Sequence, residues 1–223
     1  MRKIPDFEKE YIKSVRENDR DVIDLLNKND GGIIKKINNF SEKHGFSIFS
    51  IKKKIKDDPH FRAFFAKDPA KQKIHENIVA EFIKSLPGVT KFKQLSHGDT
   101  ALLRGALISK KDIIKFGGQN SAKTIDFVWE TKGKKIIASH KYTKEGGGAQ
   151  DNQYADLQEF IREANQSNLP NTFFLAIADG DYYKKVAHSI GIKKIDRLKK
   201  IANRENVFTL SVEELETWLS QLS

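Results

Sequence analysis

Two segments that are predicted to form paired β-strands carry a carboxylate and a lysine. Asp126 lies in the apolar run 124–129, Lys141 lies near the end of the run 135–143, and a charged turn separates the two runs. An aspartate among apolar residues is costly to bury unless it is paired or binds a metal ion. A lysine beside a carboxylate-bound metal can orient an attacking water and offset charge on a transferring phosphate. The pair predicts metal-dependent hydrolysis of a phosphate ester, and the alternative is a structural salt bridge.

The alternation of side chains along a strand decides which neighbours can join this site. Ser139 and Lys141 share one face of the predicted strand and His140 lies on the other, so we exclude His140 as a general base. Asp126 and Lys141 are expected to meet across the hairpin. Glu130 shares a face with Asp126, but four residues of strand span about 13 Å, which is too far for one metal ion. Mg²⁺ suits such a site because it takes oxygen ligands and keeps several waters.

A glycine-rich loop, 146–148, and a predicted helix over 150–164 follow the hairpin. The apolar stripe of this helix is expected to face the sheet. At about 100° per residue, Asp156 lies on the flank of the stripe, whereas Glu159 points nearly opposite, into solvent. Gln153 falls on the stripe itself, where a polar group needs a partner such as a metal shell or a bound ligand. Asp156 is therefore the predicted second carboxylate of the site, with Gln153 as its neighbour.

These residues resemble the signature of the PD-(D/E)XK nuclease superfamily and, within it, the type II restriction endonucleases. That signature has an Asp on the second strand of the core, then an acid, any residue and Lys on the third strand. The match here is Asp126 followed by Ser139-His140-Lys141, so a serine stands where an acid is expected. The resemblance implies a core of helix, three strands, helix and strand over 72–178, with Mg²⁺ as cofactor and double-stranded DNA as substrate. It also implies a homodimer that cuts both strands of a palindromic site.

The serine at position 139 leaves three interpretations open. Some restriction endonucleases carry Ser-x-Lys and take the missing carboxylate from the following helix. In that case Asp126 and Asp156 would bind the metal ion, and Lys141 would position the water and stabilise the transition state. Alternatively, Ser139 is a substitution that disables cleavage in this copy, or the domain is naturally inactive.

The family often adds an acid from its first helix, which is predicted here over 72–86. Glu76 stands at the start of the apolar pattern of that helix, where the family usually has this acid. The resemblance therefore implies Glu76 as a further metal ligand. An acid that complements the dipole at the helix N-terminus is an equally good interpretation.

The N-terminal region is predicted to consist of short helices. A helix over 33–44, a glycine at position 45 and a second helix over 47–56 have helix-turn-helix proportions. If the pair reads DNA, the lysines of the second helix contact phosphates, and in a plain helical hairpin they form a solvated face. These lysines are Lys52, Lys53, Lys54 and Lys56.

A second basic group precedes the predicted hairpin. Arg104, Lys110 and Lys111 are expected to line the DNA cleft, and a solvated basic surface is the alternative. The formal net charge of +10 agrees with a polyanionic partner, although many basic proteins bind nothing specific.

Composition excludes several classes of protein. The chain has 223 residues and no cysteine, which excludes disulfides, thiolate metal sites and thiol nucleophiles and fits a reducing compartment. No apolar run approaches the roughly 18 residues that span a bilayer, so we expect no membrane association and a cytoplasmic location.

The sequence thus predicts an α/β fold with a restriction-endonuclease-like mixed sheet flanked by helices. We expect a helical basic region over 1–70 and the nuclease domain over 71–223. The expected function is Mg²⁺-dependent, sequence-specific double-strand cleavage of DNA. Two alternatives stay open: a repair or nicking endonuclease of the same superfamily, and a non-catalytic DNA-binding protein.

Overall fold

The structure is a computed structural model that describes residues 2–69, 73–96, 100–109, 111–112, 123–145, 148–186, 191–202 and 204–222. The chain divides into two compact units, one of residues Asp6–Ile78 and the other of Val79–Ser223 together with Met1–Pro5. The division falls inside a helix, α5 (Ile74–Ser85), whereas the sequence placed it between positions 70 and 71.

The N-terminal unit is helical. Its helices are α1 (Phe7–Asn27), α2 (Gly31–His44), α3 (Ile48–Asp57) and the short α4 (Pro59–Arg62). Each begins at a side chain that accepts backbone N–H groups of its first turn, and these caps are Asp6, Asp30, Ser47 and Asp58. The apolar faces of the helices meet in one buried cluster made of Val22, Leu26, Ile33, Ile37, Ile51, Ile55 and Phe65.

The second unit is built on a five-stranded mixed sheet in the order β1-β5-β6-β7-β8. Its strands are β1 (Thr90–Gln94), β5 (Phe127–Thr131), β6 (Lys134–Tyr142), β7 (Thr172–Asp179) and β8 (Val207–Leu210). The β1–β5 and β5–β6 pairs are antiparallel, and β6, β7 and β8 are parallel. Lys132 and Gly133 join β5 to β6 with φ of 47° and 74°. Two positive φ values in a two-residue loop mark the turn type that suits the twist of a hairpin.

A smaller sheet in the order β3-β2-β4 is inserted between β1 and β5. Its strands are β2 (Thr100–Leu103), β3 (Ala106–Ser109) and β4 (Lys123–Thr124). The β2–β3 turn also has two positive φ values, at Arg104 and Gly105. A Cβ on Gly105 would lie 2.5 Å from the carbonyl oxygen of Gln166, so this turn packs closely against the chain that follows the next helix.

Helices cover both faces of the large sheet. Helix α6 (Gly148–Asn165) buries its apolar stripe against one face, which carries Ile137, Phe174 and Ala176. On the opposite face lies α9 (Val212–Gln221), which packs Trp218 on the rings of Phe173 and Phe208. The stripe of α6 consists of Leu157, Phe160, Ile161 and Ala164. Two short helices, α7 (Asp181–Lys184) and α8 (Lys194–Ile201), connect β7 to β8.

The predicted fold class is confirmed: the protein is α/β, with a mixed sheet flanked by helices and an N-terminal helical region. Within the described part of the chain, no helix combines the length and the apolar character that crossing a membrane requires.

Candidate active site

Asp126 stands at the entrance of β5, directly opposite Ser139 on β6. The register pairs Phe127 with Ala138, and the backbone N–H of Asp126 extends this ladder by donating to the Ala138 carbonyl at 2.9 Å. Asp126 is 8% exposed and therefore almost enclosed. A carboxylate at this depth needs hydrogen-bond donors or a cation to offset its lost hydration.

Two donors hold one oxygen of this carboxylate. Asp126 Oδ2 accepts a hydrogen bond from the Ser139 hydroxyl at 3.1 Å and another from the backbone N–H of His140 at 2.8 Å. The second oxygen, Oδ1, accepts no hydrogen bond from any described residue. It is not fully enclosed either, so a ligand can reach it. The carboxylate is thus fixed in orientation with one oxygen left to accept a further ligand.

Lys141 lies on the same face of β6, one side-chain step beyond Ser139, and is half-buried. Its ammonium group forms no ion pair or hydrogen bond with the residues that the structure describes. The contacts of the described residues therefore do not include a direct pairing of Lys141 with Asp126. Asp126 faces Ser139, so Lys141 is its diagonal neighbour, and such neighbours stand about 7–8 Å apart. The two side chains therefore project from neighbouring positions on one face of the hairpin.

The end of β6 is tied to α6 and to the turn after β7. The buried hydroxyl of Thr143 donates to Gln153 Oε1 at 2.8 Å, and the Thr143 N–H donates to the Asp179 carbonyl at 2.8 Å. Gly180 has a φ of 98°, and a Cβ there would lie 2.2 Å from the Thr143 carbonyl oxygen. Gln153 therefore positions α6 at the carboxyl edge of the parallel strands, the edge where ligands of open α/β sheets bind.

Asp156 lies about one turn beyond Gln153 on α6 and is exposed. Its negative charge reaches Tyr183, whose pKa is raised chiefly by burial and further by Asp179, Tyr154 and Asp156. Among the described residues, no group of three or more Asp, Glu or His side chains is arranged to hold a metal ion. The choice of Asp156 or Glu76 as the acid that completes a metal shell with Asp126 stays a prediction.

Glu76 belongs to the N-terminal unit, in the first turn of α5. Its carboxylate forms an ion pair with Lys73 at 3.2 Å, and its side chain is 15% exposed. An acid in the first turn of a helix also complements the helix dipole. These local partners agree with the structural interpretation of Glu76.

The opposite face of β6 carries a buried pair that sequence reasoning missed. His140 Nε2 lies 3.3 Å from Asp179 Oδ2, without the alignment of a hydrogen bond. Asp179 Oδ1 accepts the backbone N–H of Val212 at 2.9 Å, at the start of α9. His140 therefore has two roles, because its backbone holds Asp126 on one face while its ring contacts Asp179 on the other. The aspartate before Gly180 was the only signal in the sequence.

Three tyrosines, one on α6 and two on α7, form a second feature that the sequence did not reveal. The Tyr182 hydroxyl donates to Asp151, and Lys194 Nζ lies 3.3 Å from the centroid of the Tyr182 ring. Burial lowers the pKa of Lys194 and raises that of Tyr154. The rings of Tyr154, Tyr182 and Tyr183 contact one another and fix the start of α6 against α7.

The predicted DNA-contacting residues fall in different places. Arg104 is exposed at the tip of the β2–β3 turn, Lys111 is exposed, and Lys110 lies outside the described residues. Lys52 and Lys53 lie on α3 of the N-terminal unit. Lys54 on the same helix places its ammonium group 5.5 Å from the centroid of the Phe61 ring and 5.9 Å from that of Phe46.

Comparisons with known proteins identify no family for this chain. No family model matches the sequence, and no curated protein matches it. Among solved structures, the crystal structure of protein VC1899 from Vibrio cholerae is similar with a TM-score of 0.33 and 10% sequence identity. The match covers 99% of this chain and 56% of that one, so the chain spans little more than half the length of the other protein. A TM-score this low shows neither a shared fold nor a shared function.

Proposed function

We propose that this chain is a Mg²⁺-dependent endodeoxyribonuclease of the type II restriction class, which hydrolyses phosphodiesters of double-stranded DNA at a specific sequence. The observation that carries the proposal is the arrangement of Asp126, Ser139 and Lys141 on one face of a β-hairpin. There an almost enclosed carboxylate keeps one oxygen open, and Lys141, which pairs with none of the described residues, is its diagonal neighbour. Such a pair can hold the two sides of a phosphate group.

The order of elements supports the same class. The chain runs through α5, β1, β5, β6, α6 and β7, and β2 to β4 form a separate small sheet. Without that insertion, the order is helix, three strands, helix and strand, which is the core that the family resemblance implies. Asp126 directly precedes the second of these strands, and Ser139 and Lys141 lie on the third, close to where the family signature has its Asp and Lys.

The site fits Mg²⁺ bound through few protein ligands. The ion often binds through one or two carboxylates and completes its shell with waters and substrate phosphates. Asp126 Oδ1 would provide one such ligand. The Ser139 hydroxyl beside it donates its hydrogen to Oδ2. When bound, the ion supplies an activated water and a Lewis acid for the phosphate oxygens. Since Asp126 is the one carboxylate held there by the hairpin, metal binding should be weak without DNA.

The remaining chemistry is assigned to groups of the chain itself. The Ser139 hydroxyl and the His140 N–H keep the Asp126 carboxylate oriented, so the reaction needs no rearrangement of that ligand. The Lys141 ammonium orients the attacking water and offsets charge that builds on the phosphate in the transition state. The Thr143–Gln153 hydrogen bond keeps α6, and with it Asp156, at the same edge.

The resemblance further suggests a homodimer, because two copies related by a two-fold axis match a palindromic site. With no cysteine in the chain and DNA as its substrate, we place it in the cytoplasm.

A digest of long duplex DNA with and without Mg²⁺ tests the proposal. We expect discrete Mg²⁺-dependent fragments, and Lys141→Ala should lower the cleavage rate at least about a hundredfold, as the loss of one transition-state donor does. The matched control is Lys135→Ala, which removes an equal charge from the exposed opposite end of the same strand face and should cleave normally. Asp126→Asn should also abolish cleavage.

The other outcomes separate the alternatives. Cleavage that appears only after Ser139→Glu would identify this chain as a disabled copy. Breaks in one strand alone would indicate a nicking or repair enzyme. DNA binding without cleavage by either the wild type or Ser139→Glu would refute the nuclease proposal and favour a non-catalytic DNA-binding protein.

A further inference from the structure

Helix α3 presents a basic and aromatic stripe to solvent. Phe49, Lys52, Lys53 and Lys56 recur at i, i+3, i+4 and i+7, the spacing that places side chains on one helix face. The apolar residues of α3, Ile51 and Ile55, lie on the other face and are fully buried. We call these four residues the α3 stripe, in which Phe49, Lys53 and Lys56 are exposed and Lys52 is half-buried. The burial pattern therefore fixes which way the stripe points.

Within the described part of the chain, no polar contact gives the members of the stripe a structural role. Phe49 is 80% exposed, and a phenyl ring left in water gains nothing for folding. Lys52, Lys53 and Lys56 form no ion pair or hydrogen bond with any described residue. Lys54, on a different side of the helix, shows the contrast, since its ammonium group lies over two phenylalanine rings.

The turn before α3 gives the helix pair its geometry. Helix α2 ends at Gly45, which has a φ of 73° in the left-handed region, and α3 begins after Ser47. The Ser47 hydroxyl accepts the N–H of Ser50 and caps α3. Val22 and Leu26 of α1 pack in the same core as both helices. Three helices with a three-residue glycine turn before the last have the proportions of a DNA-binding helix-turn-helix unit.

We propose that the α3 stripe binds the major groove of duplex DNA, with the lysines on phosphates and Phe49 against base edges. A helix with its side chains is about 10–12 Å in diameter, which fits the major groove, about 12 Å wide. Phe49 lies at the N-terminal end of α3, the end whose residues contact bases in helix-turn-helix proteins. An apolar ring there can contact the thymine methyl group.

The charge of the stripe decides between occupants. A second copy of the chain would bring three lysines against three lysines, and like charges placed together across an interface are unfavourable. A polyanion instead neutralises them and releases its own counterions. The inference rests on DNA as the ligand of the proposed function, but it does not require cleavage.

The lysines are tested by the salt dependence of binding to a short duplex in EDTA, which prevents cleavage. Lys52→Ala/Lys53→Ala should make the slope of log Kobs against log salt concentration shallower by about 2, one unit for each phosphate contact. The control is Lys9→Ala/Lys13→Ala, an equal charge change on exposed residues of α1, which should leave the slope unchanged. Equal slopes for the stripe variant and the wild type would overturn the proposal.

Phe49 is tested by selecting bound duplexes from a randomised pool and sequencing them. Phe49→Ala should lose the preference for A·T pairs at one or two positions and reduce the ratio of specific to non-specific affinity on the order of tenfold. The matched control is Phe64→Ala, since Phe64 is 75% exposed but lies outside α3. An unchanged preference would overturn the role of Phe49. If Phe49→Ala loses self-association that the wild type shows in DNA-free solution, the role of Phe49 in DNA binding is overturned as well, because the stripe would then be a protein interface.

The same variants keep this inference separate from the nuclease proposal. Cleavage of DNA together with unaltered binding by the stripe variants would refute the inference and leave the nuclease proposal standing. Binding through the stripe without any Mg²⁺-dependent cleavage would support the inference and refute the nuclease proposal.

Discussion

Replacing Ser139 by glutamate places a second carboxylate opposite Asp126, at the position where the family resemblance has an acid. The change removes the hydroxyl that donates to Asp126 Oδ2 at 3.1 Å and leaves the His140 N–H at 2.8 Å as the remaining donor. Without a metal ion the variant should be less stable than the wild type. With Mg²⁺ present, the two carboxylates should bind the ion and recover much of that loss.

Two contributions set the size of the metal-free effect. Loss of a hydrogen bond to a charged group costs about 1.5–3 kcal/mol. Repulsion between the carboxylates is limited by protonation of the introduced group, and neutralising a glutamate of ordinary pKa, about 4.3, costs about 4 kcal/mol at pH 7. We therefore expect a loss of about 2 kcal/mol if the introduced carboxylate turns to solvent. The loss approaches about 6 kcal/mol if it stays against Asp126.

The pH dependence of this loss has a defined sign. The charge of Asp126 should raise the pKa of the introduced carboxyl in the folded state above its unfolded value. The repulsion is then missing below the unfolded pKa and sets in as the pH rises through the raised folded pKa. The Ser139→Glu variant should therefore be closest to the wild type in mildly acidic solution and furthest from it above neutrality.

Thermal unfolding during a Mg²⁺ titration measures both effects. Ligand at a hundred times its Kd stabilises the folded state by about 2.7 kcal/mol, which raises the Tm of a chain of this size by about 5–11 °C. Ser139→Gln is the control, because it has nearly the same shape and lacks the charge. If Ser139→Glu and Ser139→Gln respond equally to Mg²⁺, the introduced carboxylate does not share a metal ion with Asp126 and the reasoning is refuted.

Two further predictions concern stability. Gly180→Ala should lower the free energy of unfolding by more than about 2 kcal/mol, because a Cβ there would lie 2.2 Å from the Thr143 oxygen. The control, Gly133→Ala, is also at positive φ but has no atom within 4 Å of the added Cβ, so it should cost about 1 kcal/mol. Equal losses in chemical denaturation would refute the effect of the close contact. Burial opposes ionisation of Glu214, but hydrogen bonds from Lys199 and the start of α9 outweigh it and lower its pKa. Its stabilising effect is therefore present above the unfolded pKa and lost as the pH falls through the folded pKa, so the stability difference between the wild type and Glu214→Gln should shrink in acid, and a difference independent of pH would contradict this.

Several local features follow directly from sequence patterns. Alternation along β6 places Ser139 and Lys141 on one face, and the 3.6-residue period of α6 places its apolar stripe on the sheet. A glycine at position 45 ends α2 as expected, and Ser211 with Glu214 caps α9. These are properties of neighbouring residues, so they depend on short-range geometry alone.

The partners of Asp126 were decided by register. Which β6 residue faces Asp126 depends on the length of the turn, and the two-residue loop at Lys132 and Gly133 pairs Thr131 with Lys134. That register sets Ser139, not Lys141, opposite Asp126. The sequence showed a charged turn but not where the pairing begins, and a shift of one residue would turn every side chain to the other face.

What the sequence by itself determined is thus the fold class, most of the helices and strands, and the face on which neighbouring side chains of one element lie. Only the tertiary structure decided the contacts between distant elements, such as His140 of β6 with Asp179 of β7, and Thr143 with Gln153. The physical reason is that local propensity and periodicity act within a few residues along the chain. The distance between two side chains on different elements depends instead on strand order, register and helix packing, which the whole fold sets together.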